Sequence, residues 1–108
     1  MCIRDRSFGV TGAHFQPMGQ ILLLSNLIDH GMSLQQAIDQ PRFFAYGNSF
    51  EVEQLVSRRA VAGLRALGHP VVAADNPLGT AQAIWIDWQT GVLHGGADGR
   101  RDGVALGW

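Results

Sequence analysis

A strongly apolar helix near the start of the chain is the sequence feature that most constrains the fold. Pro17 stands where a first helical residue is tolerated, because the N–H that proline lacks would have no helical partner there. Apolar residues then recur at helical spacing, and they are Met18, Ile21, Leu22, Leu24, Leu27 and Ile28, with Leu23 on a second flank. Gly31 is expected to end the helix as a left-handed cap. A helix over 18–30 that is apolar on most sides must be covered by other layers, either of this chain or of a larger protein.

Two further helices are predicted downstream. Ser33 and Gln36 form an S-x-x-Q capping box for a short helix that contains Leu34, Ala37 and Ile38. Pro41 stops this helix, because the residue before a proline is driven out of helical geometry. Ser57 caps a third helix that runs through Leu67 and carries its apolar stripe on Val61, Leu64 and Leu67, and Gly68 closes it.

The strands are short and lie between and after the helices. Residues 43–46 and 50–54 read as strands around a Gly47-Asn48 turn, and 69–74 as a third strand. The strongest signal is a hairpin of 82–87 and 92–94 around a Gln89-Thr90-Gly91 turn, with Ala83, Trp85 and Asp87 on one face. A glycine-rich tail follows over 95–103. The pattern predicts an α/β or α+β fold with at least one antiparallel pair.

Composition excludes several classes of protein. The chain has 108 residues, 46% hydrophobic and 16% charged, with a net charge of −1, so it is not disordered and offers no basic face for nucleic acid. Its longest aliphatic run, Ile21 to Leu24, is too short to span a membrane. All eight basic residues are arginine, which excludes lysine Schiff-base chemistry and a phosphate-loop lysine.

The first seven residues do not resemble the rest of the chain. They lack the apolar core of a signal peptide, and they are similar to a translated sequencing adapter. We therefore predict that 1–7 is a non-native leader, or else an ordinary short tail, and that the folded part is 8–108.

No metal centre or cofactor site is predicted. The four histidines are at least fifteen residues apart, so none has the i, i+4 spacing of zinc ligands. Asp98 and Asp102-Gly103 hint at a calcium loop, but the intervening acidic residues and the closing glutamate are missing.

His94-Gly95-Gly96 is similar to a lipase oxyanion segment, yet no G-x-S-x-G elbow accompanies it, so a glycine-rich turn is expected there. Arg100-Arg101 is expected to be solvated or salt-bridged.

One segment carries a chemical signal. Small residues at Gly9-Val10-Thr11-Gly12-Ala13 precede the predicted helix, where unencumbered backbone N–H groups can point at a developing negative charge. Composition alone favours a tight turn equally.

The longer string carries a resemblance. Residues 9–20 read G-V-T-G-A-H-F-Q-P-M-G-Q, which resembles the G-V-M-G-G-x-x-Q-P-Q-G segment of the gamma-glutamyltransferase family. The likeness continues in order through 26–32, 36–43, 67–69, 79–84 and 96–108, with Glu51 and Glu53 between them.

The resemblance implies a fragment of an N-terminal nucleophile hydrolase with an αββα sandwich, in which 8–108 is the C-terminal part of the small subunit. Family members cleave themselves to expose a threonine, which attacks γ-glutamyl amides such as glutathione and forms an acyl-enzyme. Thr11, Thr80 and Thr90 do not fit that nucleophile pattern. The nucleophile, the upstream grip on the substrate and the large subunit are therefore expected outside this chain, and the chain alone is expected to be inactive.

The resemblance assigns two site residues, Gly12 and Ala13, which match the paired glycines of the family's oxyanion hole. Ala13 departs from the second glycine, and its methyl group is expected to crowd the substrate or restrict φ. A cephalosporin-acylase-like amidohydrolase and a non-catalytic module on the same scaffold are the alternatives. The resemblance leaves the cellular location open, since members are exported or cytoplasmic.

Overall fold

The computed structural model describes residues 4–108, so part of the 1–7 segment lies outside the described residues. The chain divides into two compact units, one formed by the chain up to Gln40 with Gly79–Trp108, the other by Pro41–Leu78. The strands are β1 Arg6–Val10, β2 Phe43–Tyr46, β3 Ser49–Val52, β4 Val71–Ala73, β5 Ala81–Asp87 and β6 Val92–Ala97. The helices are α1 Gln16–Ile28, α2 Leu34–Asp39 and α3 Arg58–Ala66, with a 3-10 turn over Ala13–Phe15. The fold is α+β, as predicted.

The first unit is an antiparallel sheet with strand order β1-β5-β6 and with α2 packed against it. β1 begins at Arg6, which pairs with Trp85, so two residues of the segment set aside as a leader belong to a strand; the origin of that segment stays a prediction. Ile38 of α2 is fully buried, and Ala81 and Ala83 of β5 are buried in the same unit. The predicted hairpin is confirmed by the pairing of β5 with β6.

The expected glycine-rich turn at His94-Gly95-Gly96 is wrong, because β6 continues through these residues to Ala97. The reason lies in the layer above the strand. A Cβ added at Gly96 would come within 2.7 Å of Ile38 Cδ1 and 3.1 Å of Leu34 Cγ. Gly96 therefore allows α2 to approach the sheet closely, which is a recognised use of glycine inside a strand.

The helix ends follow the local sequence closely. Ser33 and Gln36 form the complete capping box of α2, and Gly31 has a φ of 62° after α1. The described residues cover α1 only in part, which the sequence allowed for. Ile21 and Ile28 are 61% and 63% exposed, so α1 is not covered on most of its sides by the residues described.

The second unit joins the β2–β3 hairpin to β4, which lies parallel to β3 and follows the crossover helix α3. Ser57 Oγ accepts the Ala60 N–H at 3.1 Å and caps α3, as predicted. The apolar stripe predicted on α3 is wrong at its end: Leu67 is 78% exposed, and α3 buries none of its residues. Among the helices of residues 4–108, none has the length and apolar character needed to cross a bilayer.

Candidate active site

Gly12 and Ala13 lie in the connection between β1 and α1, at the start of the 3-10 turn. Gly12 has φ 126° and ψ 29°, a conformation that glycine adopts readily and other residues rarely. Ala13 has φ 49°, and it is the only non-glycine residue with a positive φ within residues 4–108. The sequence predicted that the methyl group of Ala13 would restrict φ, and the observed left-handed angle carries that penalty. A left-handed alanine costs about 1–2 kcal/mol.

The backbone amides of these two residues are available to a ligand. Both residues are exposed, and within the described part of the chain neither N–H donates to a protein acceptor. Exposed backbone N–H groups without a protein acceptor can donate hydrogen bonds to an anionic oxygen. The segment can therefore stabilise negative charge on an oxygen atom.

A buried aromatic ring fixes the segment from below. Phe15 is only 3% exposed, and its N–H donates to the Gly12 carbonyl at 2.9 Å. Two glycines leave room for this ring: a Cβ at Gly19 would lie 2.7 Å from Phe15 Cε1, and one at Gly79 would lie 2.9 Å from Phe15 Cδ1. A Cβ at Gly79 would also collide with the Thr11 carbonyl oxygen.

Two threonines join the segment to the start of β5. The Thr11 N–H donates to the Thr80 carbonyl at 2.9 Å, and the Thr80 N–H donates to Thr11 Oγ1 at 3.0 Å. The two hydroxyl oxygens are 2.6 Å apart and share a hydrogen bond. Sequence reasoning missed the roles of Gly79 and Thr80. The resemblance included both residues, but their contact with Thr11 depends on the pairing of β1 with β5, which local patterns do not reveal.

Asp98 and Arg100 of the glycine-rich tail stabilise the fold. Asp98 is buried, and its Oδ2 accepts the Ala81 N–H at 2.8 Å. Arg100 forms a 3.1 Å salt bridge with Asp98 and donates to the carbonyls of Ile38 and Gln40. The salt-bridged interpretation of Arg100 is therefore confirmed, and the Asp98 carboxylate is already engaged by protein donors.

His94 lies on β6 and stacks against Trp85, with ring centroids 5.2 Å apart. Within residues 4–108, no group of three His, Cys, Asp or Glu side chains is placed to hold a metal ion. The candidate site at Gly12 and Ala13 consists of backbone N–H groups, and its chemistry is hydrogen-bond donation.

Sequence comparisons give this geometry a family context. The model of the family described as Gamma-glutamyltranspeptidase matches residues 4–108. The Glutathione hydrolase-like YwrD proenzyme of Bacillus subtilis (strain 168) is 38% identical over 109 residues, covering 93% of this chain and 21% of that protein. The Acylase ACY 1 proenzyme of Pseudomonas sp. (strain SE83) is 40% identical over 81 residues, covering 75% and 14%. The chain spans about a fifth or less of these relatives.

Solved structures share the fold. The cephalosporin acylase from Bacillus halodurans superposes with a TM-score of 0.88 at 36% identity, covering 94% of this chain and 19% of that one. The gamma-glutamyltranspeptidase from Pseudomonas nitroreducens complexed with L-DON superposes at 0.87 with 18% identity, covering 96% and 55%, a likeness of fold alone.

Proposed function

The chain belongs to the gamma-glutamyltranspeptidase family, and we propose that its Gly12–Ala13 segment is the oxyanion hole of an amide-cleaving enzyme. One observation carries the proposal: Gly12 and Ala13 are exposed residues with an unusual backbone conformation, and neither amide N–H has a protein acceptor within residues 4–108.

This arrangement suits the transition state of amide cleavage. When a nucleophile attacks an amide carbonyl, the carbonyl oxygen acquires negative charge in a tetrahedral intermediate. Donors that are already oriented toward that oxygen stabilise it without reorganising during the reaction, and one such donor contributes about 2.7–4 kcal/mol. The backbone amides of Gly12 and Ala13 are proposed to be these donors.

The nucleophile is proposed to be a threonine outside this chain. It would become the first residue of the small subunit when the precursor cleaves itself, and its own amine would act as the base. The threonine hydroxyls of the site are engaged otherwise, because Thr11 and Thr80 bond to each other. Thr90 donates to Asp87 in the β5–β6 turn.

The proposed substrates are γ-glutamyl amides of the glutathione type, converted by hydrolysis or by transfer through a threonine acyl-enzyme. Relatives named glutathione hydrolase support this choice. A second candidate is an acylase that cleaves a side-chain amide, which the identities of 40% and 36% to the two acylases favour. Both reactions pass through the same tetrahedral oxyanion, so the proposed role of Gly12 and Ala13 is common to them.

The test uses the complete precursor that contains this segment, with the Gly12→Val variant. The branched side chain is disfavoured at a φ of 126°, and even a Cβ there would lie 3.3 Å from Gly79 Cα. We expect kcat per titrated acyl-enzyme site to fall by about 100–1000-fold. Gly31→Val is the matched control, because Gly31 also has a positive φ but has open space around it.

Two substrates are compared in the same assay: a chromogenic γ-glutamyl anilide and a cephalosporin with an acyl side chain. Preference for the second would move the proposal to the acylase reaction. If Gly12→Val folded, processed itself and kept a normal kcat, the segment would be an ordinary turn. If the unmodified precursor turned over neither substrate, the non-catalytic alternative would be favoured.

A further inference from the structure

We infer that Thr11 and Thr80 form a hydroxyl clamp, defined as these two side chains and their shared hydrogen bonds, which positions the Gly12 and Ala13 amides. This inference rests on the proposed function, and it assigns two positioning residues that contact no reacting atom themselves.

The clamp fixes the chain immediately before Gly12. Three hydrogen bonds connect Thr11 to Thr80 across 69 residues of sequence: Thr11 N–H to the Thr80 carbonyl at 2.9 Å, Thr80 N–H to Thr11 Oγ1 at 3.0 Å, and the hydroxyl pair at 2.6 Å. Two of the three depend on the Thr11 side chain. The residue that enters the Gly12 turn is therefore tied directly to the residue that enters β5.

The segment needs such restraint because two successive residues have strained or uncommon angles. Gly12 has φ 126° and Ala13 has φ 49°. Unusual backbone conformations persist only where the surroundings over-determine them. On the C-terminal side, the Phe15 N–H bonds the Gly12 carbonyl at 2.9 Å and the Phe15 ring is buried. On the N-terminal side, the hydroxyl clamp provides the corresponding restraint.

The hydroxyl clamp is exposed. We therefore expect its loss to change the geometry of the Gly12 turn more than the free energy of unfolding. Both side-chain bonds lie in exposed surroundings, so water can satisfy the Thr80 N–H if the Thr11 hydroxyl is removed. Leaving a group solvated costs far less than burying it unpaired. Loss of the clamp is therefore expected to relax the Gly12 turn while the fold remains intact.

The experiment measures kcat, KM and Tm of the complete, self-processed precursor with a γ-glutamyl anilide, with rates expressed per titrated acyl-enzyme site. Thr11→Val removes both side-chain bonds and keeps the shape of the residue. We expect kcat to fall by about 10- to 100-fold. KM should change by less than about twofold, because the weakened interaction, donation by the Gly12 and Ala13 amides, forms in the transition state. Tm should shift by only a few degrees.

Three further variants sharpen the test. Thr11→Ser keeps the hydroxyl and should restore kcat to within about threefold of the parent. Thr80→Val removes only the hydrogen bond between the two hydroxyls, so we expect a smaller loss of kcat. This variant provides the test if Thr11→Val does not process itself. The double variant should be no slower than Thr11→Val, because the two residues act as one unit. Thr90→Val is the matched control, since it loses an exposed 2.7 Å hydroxyl bond in the β5–β6 turn.

The outcomes separate this inference from the proposed function. If Gly12→Val abolishes turnover while Thr11→Val and Thr80→Val keep kcat per site, the hydroxyl clamp is wrong and the oxyanion hole stands. If Gly12→Val itself keeps kcat, the oxyanion hole is wrong and the clamp fails with it. If Thr11→Val and Thr80→Val had a lower Tm and gave less processed protein but kept kcat per site, the positioning role would also be overturned.

Discussion

Ala13 holds a left-handed backbone angle that its side chain disfavours, at φ 49°. We predict that Ala13→Gly raises the free energy of unfolding by between about 0 and 1.6 kcal/mol. Relief of the left-handed penalty, about 1–2 kcal/mol, is offset in part by the greater entropy of an unfolded glycine, about 0.4–1 kcal/mol. Turnover should stay equal or rise, because the methyl group leaves the oxyanion segment. Denaturant midpoints and kcat of the processed enzyme measure both effects.

Ala62→Gly is the control for this substitution, because Ala62 lies exposed on helix α3. There the same change should lower stability by about 1 kcal/mol. A loss of stability and of kcat in Ala13→Gly would contradict the strain argument.

At the scale of single residues, the sequence predicted what local chemistry determines. The caps at Gly31, Ser33 and Ser57 are correct because each depends on neighbours within a few positions. The roles of Thr80 and Asp98 were missed, because each acts on a residue brought near by strand pairing or by chain reversal. The amides of Gly12 and Ala13 stay a prediction as catalytic groups.

At the scale of elements, Gly96 sets the distance between α2 and the first sheet. We predict that Gly96→Ala lowers the free energy of unfolding by about 1–3 kcal/mol, because its Cβ would lie 2.7 Å from the Cδ1 of fully buried Ile38. Gly9→Ala is the matched control, since Gly9 lies in β1 of the same sheet and has open space around it. Equal effects in the two variants would show that α2 does not press on the strand.

The β5–β6 turn is expected to weaken in acid. Asp87 Oδ2 accepts from the Thr90 hydroxyl at 2.7 Å, and Oδ1 accepts from the Gln89 N–H at 2.9 Å. These bonds, chiefly that from Thr90, hold the pKa of Asp87 below its ordinary value of 3.8. Because the folded-state pKa is the lower one, the stabilisation is complete above about pH 5 and is lost as pH falls through the folded pKa.

Melting curves of the parent and of Thr90→Val test this prediction. The difference in Tm should be constant between about pH 5 and pH 7 and should shrink below about pH 4. A difference that grew toward low pH would mean that the Asp87 bonds do not favour the carboxylate.

The errors in the predicted elements share one cause. Strand β6 is longer than predicted. Its glycines were interpreted as turn residues, whereas Gly96 lies in the strand because the close packing of α2 requires it. The stripe on α3 failed at Leu67, which follows the helix and is exposed. Both errors concern tertiary packing, which overrides local propensity.

At the scale of the whole molecule, we propose that the active site is divided between this chain and a part of the precursor outside it. We predict that the purified 108-residue chain releases no chromophore from a γ-glutamyl anilide above the buffer rate. An oxyanion hole without its nucleophile contributes only its own share of the barrier reduction. Addition of the processed precursor to the same assay is the positive control. Turnover with a burst from the chain alone would place the nucleophile within these residues.

We propose that Gly12 and Ala13 donate their N–H groups to the tetrahedral oxygen. The most direct measurement is a crystal structure of the self-processed, full-length enzyme with a phosphonate analogue of a γ-glutamyl amide bound to its nucleophile. We predict that both backbone nitrogens lie about 2.7–3.1 Å from one phosphonyl oxygen. An oxygen held by other donors, with both nitrogens beyond about 3.6 Å and so outside hydrogen-bond distance, would contradict the oxyanion hole.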